Sequence, residues 1–584
     1  MYDLVIRGGT VIDGTGAPAR AADVAIDGDR VVAVGSDLGS GEREIDASGL
    51  LVTPGWVDVH THYDGQATWD PHLTPSGWNG VTTVVMGNCG VGFAPVAPEK
   101  HEYLIQLMEG VEDIPGTALA EGIDWQWETF PEYLDALEKF PRSVDVAAQV
   151  PHGAVRTYVM GERGANNEKA TPEDIEAMAQ LVREGLEAGA VGFSTSRTIL
   201  HRAKDGELVP GTNAEDEEVL GIGRVLGEVG HGVFEVASDL APLADELAWM
   251  KQLGRETGRP VAFACLQSPV EPEQWRQLLA EVDADSKAGG HLTPQVAQRP
   301  AGLLLGWEST AHPFLFSPEW PAIAAMPAAE RRAHVAKPEV RKKLIASLPD
   351  FSGNPLPGAA MAIARGFSMM FRLGDPPNYE PRPDESIAAI AERDGRDPLE
   401  VAYDVMLERD GRGLIYLPLI GYANGDLEAI RSMMMHPKAV FGLSDGGAHC
   451  GLICDASMPT FLLTHWVRDR ERGEKIPIEF VVESQTRRTA ELYGMQDRGV
   501  LAPGMKADVN VIDFEALAIH TPEMVYDLPA EGKRLIQKVD GYRYTVQSGE
   551  VTYESGKPTG ALPGKLVRGP QPAPNPASLE AAAR

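Results

Sequence analysis

The stretch Pro54-Gly55-Trp56-Val57-Asp58-Val59-His60-Thr61-His62 decides how this chain folds. Pro54-Gly55 breaks the backbone just ahead of an apolar run, as at a loop entering a buried strand. The run ends in His-x-His. Side chains alternate faces along a strand with a period of two, so His60 and His62 point the same way. Two imidazoles on one face at the end of a buried strand make half of a metal site, because neutral imidazole is a common zinc ligand. Two spaced histidines also occur by chance as polar residues at a strand end, so the rest of the chain has to decide between these readings.

The 584 residues exceed what one small core needs, and a large domain with one or two satellites is expected. A formal net charge of −33 argues against nucleic acid and anionic membrane surfaces, both of which call for basic patches. No run of about 18 apolar residues appears, and Met1-Tyr2-Asp3-Leu4 lacks the basic and apolar regions of a signal peptide. Cys89, Cys265, Cys450 and Cys454 do not make a disulfide framework in so long a chain. These features predict a cytoplasmic protein with a small-molecule substrate and no nucleic-acid or membrane partner; whether it forms a homo-oligomer is left open.

Both ends of the chain read as β-structure. Short strands around Asp3–Arg7, Thr10–Asp13, Val24–Ile26 and Arg30–Val34 are separated by Gly8-Gly9, Asp13-Gly14 and Asp27-Gly28-Asp29. A matching pattern returns in Ala507–Ile512, Tyr544–Val546 and Glu550–Tyr553. Residues 1–53 and 500–560 are therefore expected to share one small β-sandwich domain. Between them, strand and helix alternate. The apolar run Ser143–Val150 leads to Pro151-His152, and Thr171-Pro172-Glu173-Asp174 opens a helix with a capping residue, a proline and acids in its first turn. Strands at Ala190–Ser194, Val233–Val236 and Val261–Ala264 follow in turn. The chain is thus read as α/β, with residues 54–499 forming a (β/α)8 TIM-like barrel; an open doubly wound sheet is the alternative. No Gly-x-Gly-x-x-Gly follows a strand, so a dinucleotide site has no support. From about 269 to 396 prolines interrupt the rhythm, which predicts an insertion over one barrel face. Residues 565–584 are proline-rich and read as a disordered tail.

Other segments end a strand with a reactive side chain. Val81–Gly90 places Cys89 between Asn88 and Gly90, Val440–Gly447 places Asp445 at the end of the last strand, and Gln149–Gly153 does the same for His152. In a parallel barrel the C-terminal strand ends form one face, so these groups converge.

Together the motifs resemble the amidohydrolase superfamily. They are the N-terminal β-segment, Pro-Gly-x-x-Asp-x-His-x-His, the later Ser444-Asp445-Gly446, and a closing β-segment with Leu501–Asp508. Gly80–Gly90, which reads Gly-x-Thr-Thr-Val-Val-x-Gly-Asn-Cys-Gly, and Thr559–Lys565 resemble its N-acyl-D-amino-acid deacylase (D-aminoacylase) branch. The resemblance implies zinc, as one or two divalent ions, with His60, His62, Cys89 and Asp445 as ligands. It further implies that Asp445 takes a proton from the metal-bound water. Such a metal lowers the pKa of bound water and polarises an amide carbonyl, and a carboxylate then relays the proton to the leaving amine. The structural alternative for Cys89 is a buried thiol that only packs.

The sequence also departs from that branch. The deacylases carry a histidine at the end of the fifth strand and His-His-Lys at the end of the sixth. Phe234-Glu235-Val236-Ala237 and Ala264-Cys265-Leu266-Gln267 stand there instead. Either Glu235, with or without Cys265, replaces the missing ligands, or the site holds one ion on His60, His62 and Asp445. Glu235 as a purely structural carboxylate is a third option. With the lysine gone, Arg197 or Arg202, after Gly192-Phe193-Ser194, and His152 are candidates for binding substrate, arginine being suited to a carboxylate. His449 lies on the same face and is a candidate for steadying an intermediate. The sequence thus predicts a metal-dependent hydrolase of an exocyclic amide in an N-acylated amino acid or a related carboxylate-bearing amide. The rivals are hydrolysis of a cyclic amide, carbamate or lactone, and a non-catalytic binding homologue.

Overall fold

The computed structural model describes residues 1–351, 356 and 358–575. Eight parallel strands form the central sheet: Trp56–Asp58, Val81–Met86, Asp145–Pro151, Gly192–Arg197, Val233–Ser238, Val261–Ala264, Leu292–Val296 and Val440–Phe441. They neighbour one another in chain order, and the eighth returns to the first through the bridge Thr61–Gly446. The closure is made by the expected metal-site segments themselves. His62 N–H donates to Gly446 O at 2.8 Å, and Asp445 N–H donates to His60 O at 3.1 Å. The chain forms the expected barrel rather than an open sheet.

Local chemistry sets the helices between the strands. In Pro172–Ala188, Thr171 accepts from the Asp174 N–H and Asp174 reaches back to the Thr171 N–H, while Gly189 ends the helix at φ 117°. Such a cap contributes about 1 kcal/mol, and a left-handed end favours glycine.

The two ends of the chain meet as expected. Leu51–Pro54 pairs antiparallel with Val509–Ile512, with Val52 opposite Val511. The expected sandwich is hydrogen-bonded as one nine-stranded sheet, whose buried side chains, among them Ile6, Val24, Val52, Val511 and Val546, form one core. The first barrel strand leaves directly from this sheet, so the sheet fixes where His60 and His62 begin.

Two expected boundaries change. The helix Gln274–Lys287 and the strand Leu292–Val296 belong to the barrel, so the insertion expected at about 269–396 begins only after Val296. It runs through the antiparallel strands Ala301–Leu305, Phe371–Arg372 and Ile415–Ile420 and carries its own core around Trp307, Phe314, Trp320 and Tyr403. The tail expected to be disordered from 565 is bound to the barrel over its first residues. Val567 N–H donates to Val146 O at 2.7 Å, Gly569 N–H to Gly189 O at 2.8 Å, and Gln571 N–H to Gly494 O at 2.9 Å. Main-chain groups make these bonds, which is how a proline-rich segment is held. Residues 576–584 lie outside the described part. Among the described residues no helix is long and apolar enough to cross a membrane.

Candidate metal centre

His60 and His62 follow the first barrel strand and are 1% and 2% exposed. The Nε2 atom of each turns towards one oxygen: Asp445 Oδ1 stands 3.5 Å from His60 Nε2 and 3.8 Å from His62 Nε2. Cys89 brings its sulfur to 3.4 Å from His60 Nε2. Ligand atoms of His60, His62 and Cys89 all lie within 4.8 Å of one another, a spacing that suits a shared ion.

The sequence folds this way because the loops around the site are clamped. Gly87, at φ 79°, has no room for a Cβ, which would meet Gln149 O at 2.3 Å. Asn88 then donates to Thr61 O at 3.1 Å and to Val85 O at 3.0 Å, tying the second strand to the histidine segment. The Cys89 N–H donates to Glu235 Oε2 at 2.9 Å, and the Gly90 N–H donates to Ser194 Oγ at 3.0 Å. Ser444 Oγ donates to Asp58 Oδ2 at 2.5 Å and lies 3.2 Å from His60 O, which sets the first strand against the eighth. Cys89, Asp445 and His449 adopt φ of 56°, 49° and 52°, a left-handed backbone uncommon outside glycine.

Electrostatics favour a bound cation. Burial pushes the imidazole of His60 down to about 4, which keeps it neutral with a free lone pair. Burial opposes charge on His62 as well, but Glu112 and Asp445 outweigh it and push this imidazole up to about 9. Burial also works against the Asp445 carboxylate; the hydrogen bond from His62, with the other histidines around it, holds it well below the usual carboxylate range. Burial raises Asp58 to about 7 and Glu235 to about 8, and lifts the Cys89 thiol well above its ordinary value. Acids that favour a proton on His62 favour a dication more strongly, and two nitrogens with one sulfur suit zinc. The residues present fit a divalent metal.

His60, His62 and Cys89 therefore come together, with Asp445 against the two histidines. Other expected residues do not. Cys265 turns its sulfur towards Met433 Sδ at 3.6 Å. Glu235 stands with Oε1 4.0 Å from His60 Nδ1, and its Oε2 accepts the Cys89 N–H at 2.9 Å. Arg197 is engaged by Glu246, donating from Nε at 3.1 Å and from Nη2 at 2.7 Å, and also donates to Ala214 O. His152 is fully buried, with Nδ1 2.8 Å from Thr195 Oγ1 and Nε2 3.0 Å from Glu218 Oε1. Both side chains that were expected to bind substrate are thus paired within the protein, Arg197 with Glu246 and His152 with Thr195 and Glu218. Arg202 is exposed and donates to Gly206 O at 2.8 Å within its own loop.

Sequence reasoning missed two neighbours. Gln295, on the seventh strand, faces His60 Nδ1 with its Oε1 at 3.0 Å. Glu112 faces His62 Nδ1 at 3.3 Å and His449 Nε2 at 3.6 Å. Neither carries a local signal, one standing behind a proline in its strand and the other ending an ordinary amphipathic helix.

The family model described as "Amidohydrolase family" matches residues 43–553. The chain belongs to this family. A D-aminoacylase of Alcaligenes xylosoxydans xylosoxydans is 34% identical over 267 residues, which is 45% of this chain and 50% of that enzyme, so the match spans about half the relative's length. An N-acyl-D-glutamate deacylase of the same organism is 28% identical over 586 residues, covering 97% of this chain and 96% of that one. A crystal structure of D-aminoacylase aligns over 97% of this amidohydrolase and 100% of itself, with a TM-score of 0.64 and 24% identity. An N-acyl-D-glutamate deacylase from Bordetella bronchiseptica, solved with zinc and a phosphonate inhibitor, gives a TM-score of 0.63 at 24% identity over 97% of this chain and 99% of that one. At these identities the structural likeness is one of fold.

Proposed function

We propose that this amidohydrolase cleaves the exocyclic amide of an N-acylated amino acid, or a related carboxylate-bearing amide, with a zinc ion held by His60, His62, Asp445 and Cys89. One observation carries the reading: a single carboxylate oxygen of Asp445 faces the Nε2 atoms of both histidines across a buried gap. A divalent ion there would acidify a water molecule and polarise the scissile carbonyl. Asp445, kept ionised by its three histidine neighbours, accepts a proton from the attacking water and returns it to the departing amine. His449, with Nε2 3.8 Å from Asp445 Oδ2, stands where it can donate to the carbonyl oxygen as charge builds. With Cys265 facing Met433 and one oxygen of Glu235 taken by the Cys89 N–H, one ion is favoured over two.

The relatives' names supply the N-acyl-D-amino-acid class, and the exposed Arg202, in the loop after the fourth strand, is a cation that could meet a substrate carboxylate. The commitment of Arg197 to Glu246, together with the absent sixth-strand lysine, favours a second reading in which a cyclic amide, carbamate or lactone is hydrolysed. Four buried, unpaired cysteines support a cytoplasmic setting.

The test is a panel of N-acetyl D- and L-amino acids, hydantoins, carbamates and lactones, run with zinc-loaded wild type and with His60→Ala/His62→Ala. Release of free amine from the N-acetyl compounds by wild type alone supports the first reading. Turnover confined to the cyclic compounds supports the second, and turnover retained by the double variant contradicts both.

A further inference from the structure

Both histidines present Nε2 to the gap, so what meets each Nδ1 decides how firmly each ring is held. For His60 it is a neutral amide in hydrogen-bond contact, Gln295 Oε1 at 3.0 Å, with the Glu235 carboxylate farther off at 4.0 Å. For His62 it is a carboxylate, Glu112 Oε1 at 3.3 Å, and these two buried atoms have no hydrogen-bond partner among the described residues, so each faces only the other. We propose that Glu112 is the positioning residue of the metal centre: it holds His62 as the Nδ1–H tautomer with Nε2 aimed at the ion, and ties that ligand to His449. This rests on the reading of His60 and His62 as metal ligands.

A carboxylate at this place is costly unless it has such a role. Glu112 is 1% exposed and is the last residue of the helix His101–Glu112, where the negative end of the helix dipole disfavours an anion. The groups that offset it are His62, with Nδ1 3.3 Å from one oxygen, and His449, with Nε2 3.6 Å from the other. The main chain is held as firmly as the side chain. The His449 N–H donates to Glu112 O, and Asp113, at φ 50°, accepts from the Gly451 N–H at 2.9 Å and from Thr310 Oγ1 at 3.1 Å. The helix end is thereby clamped to the loop after the eighth strand and to the insertion. Glu112 is not itself a ligand in this arrangement, because it stands against Nδ1, the nitrogen turned away from Asp445 and Cys89. A group in this position fixes ring orientation and raises ligand basicity, and losing one typically weakens metal binding about 10–100-fold.

The test reads zinc affinity rather than turnover. Apo wild type, Glu112→Ala and Glu112→Gln are titrated with zinc chloride against a chromophoric chelator, with thermal melts of each apo-protein. Glutamine keeps an oxygen that accepts from Nδ1–H, so its affinity should stay within about threefold of wild type, while alanine falls about 10–100-fold. If alanine does not fold, Glu112→Asp replaces it, its oxygen withdrawn by one methylene, with the same fall expected. An alanine or aspartate variant within twofold of wild type overturns the proposal, as does a glutamine variant as weak as alanine. Wild type that binds no zinc would instead remove the metal-centre reading on which it stands.

Discussion

The sulfur of Cys89 rests 3.4 Å from Nε2 of His60, the ring nitrogen that Asp445 also faces. A thiol that only packed would have no reason to meet a ligand's lone pair while its backbone adopts φ 56°. Cys89→Ala should therefore lower zinc affinity at least tenfold, measured by chelator competition, with only a small drop in melting temperature. Unchanged affinity with lowered stability would make Cys89 a packing residue.

The position of Glu235 yields a prediction about stoichiometry. Its Oε2 accepts the Cys89 N–H at 2.9 Å, and its Oε1 stands on the Nδ1 side of His60. Glu235→Gln keeps an acceptor for that N–H, so elemental analysis should find the same metal count as wild type, near one ion per chain. A fall from two ions to one would show that Glu235 had taken the place of the missing histidine.

Arg197 predicts a change in stability and none in substrate affinity. Its guanidinium lies side-on to Glu246 and over the Trp249 ring at 5.5 Å. Arg197→Ala leaves a nearly buried carboxylate unpaired, at a cost of about 3 kcal/mol. Denaturant unfolding should show that loss with KM unchanged. A tenfold rise in KM at unaltered stability would return Arg197 to the substrate.

Much of this was legible in the sequence, and the reason is range. Asp58-Val59-His60-Thr61-His62 and Gly87-Asn88-Cys89-Gly90 are local patterns, fixed by strand period and by the backbone space available at Gly87. Arg197 and His152 read as available groups because their partners lie far along the chain, Glu246 by 49 residues and Glu218 by 66. The seventh strand was hidden by Pro294, which reads as a breaker although its neighbours Leu292 and Gln295 pair with Val261 and Ala264 in the parallel ladder. Glu112 carried no signal because its role comes from where the helix ends in space. Lys565–Gln571 is held through main-chain groups, which composition does not report.

The buried pair of Glu218 with His152 and Arg156 predicts an acid limit to stability. Burial disfavours the Glu218 carboxylate, but the hydrogen bonds and charges of His152 and Arg156 prevail and hold it at about 2, below its ordinary 4.5. A depressed carboxylate stabilises the fold fully above about pH 4.5, and that contribution is lost as the pH falls through about 2. The upper bound is on the order of 3 kcal/mol. Glu218→Gln should be less stable at pH 7 and should flatten the dependence of unfolding free energy on pH between about 5 and 2. A variant with the wild-type slope would place the acid sensitivity elsewhere.

The central claim is that Asp445 moves the proton at an ion held by His60 and His62, and Asp445→Asn tests it most directly. Asparagine keeps the shape and one oxygen facing the two Nε2 atoms but does not accept the proton. Zinc content and turnover are measured on the same preparation, with whichever substrate the panel identifies. The account predicts that kcat falls by about 10²–10⁴-fold per bound zinc, the usual scale for loss of a general base. A variant that retains both its zinc and near-wild-type kcat would contradict it, leaving Asp445 a strand-end residue that closes the barrel and nothing more.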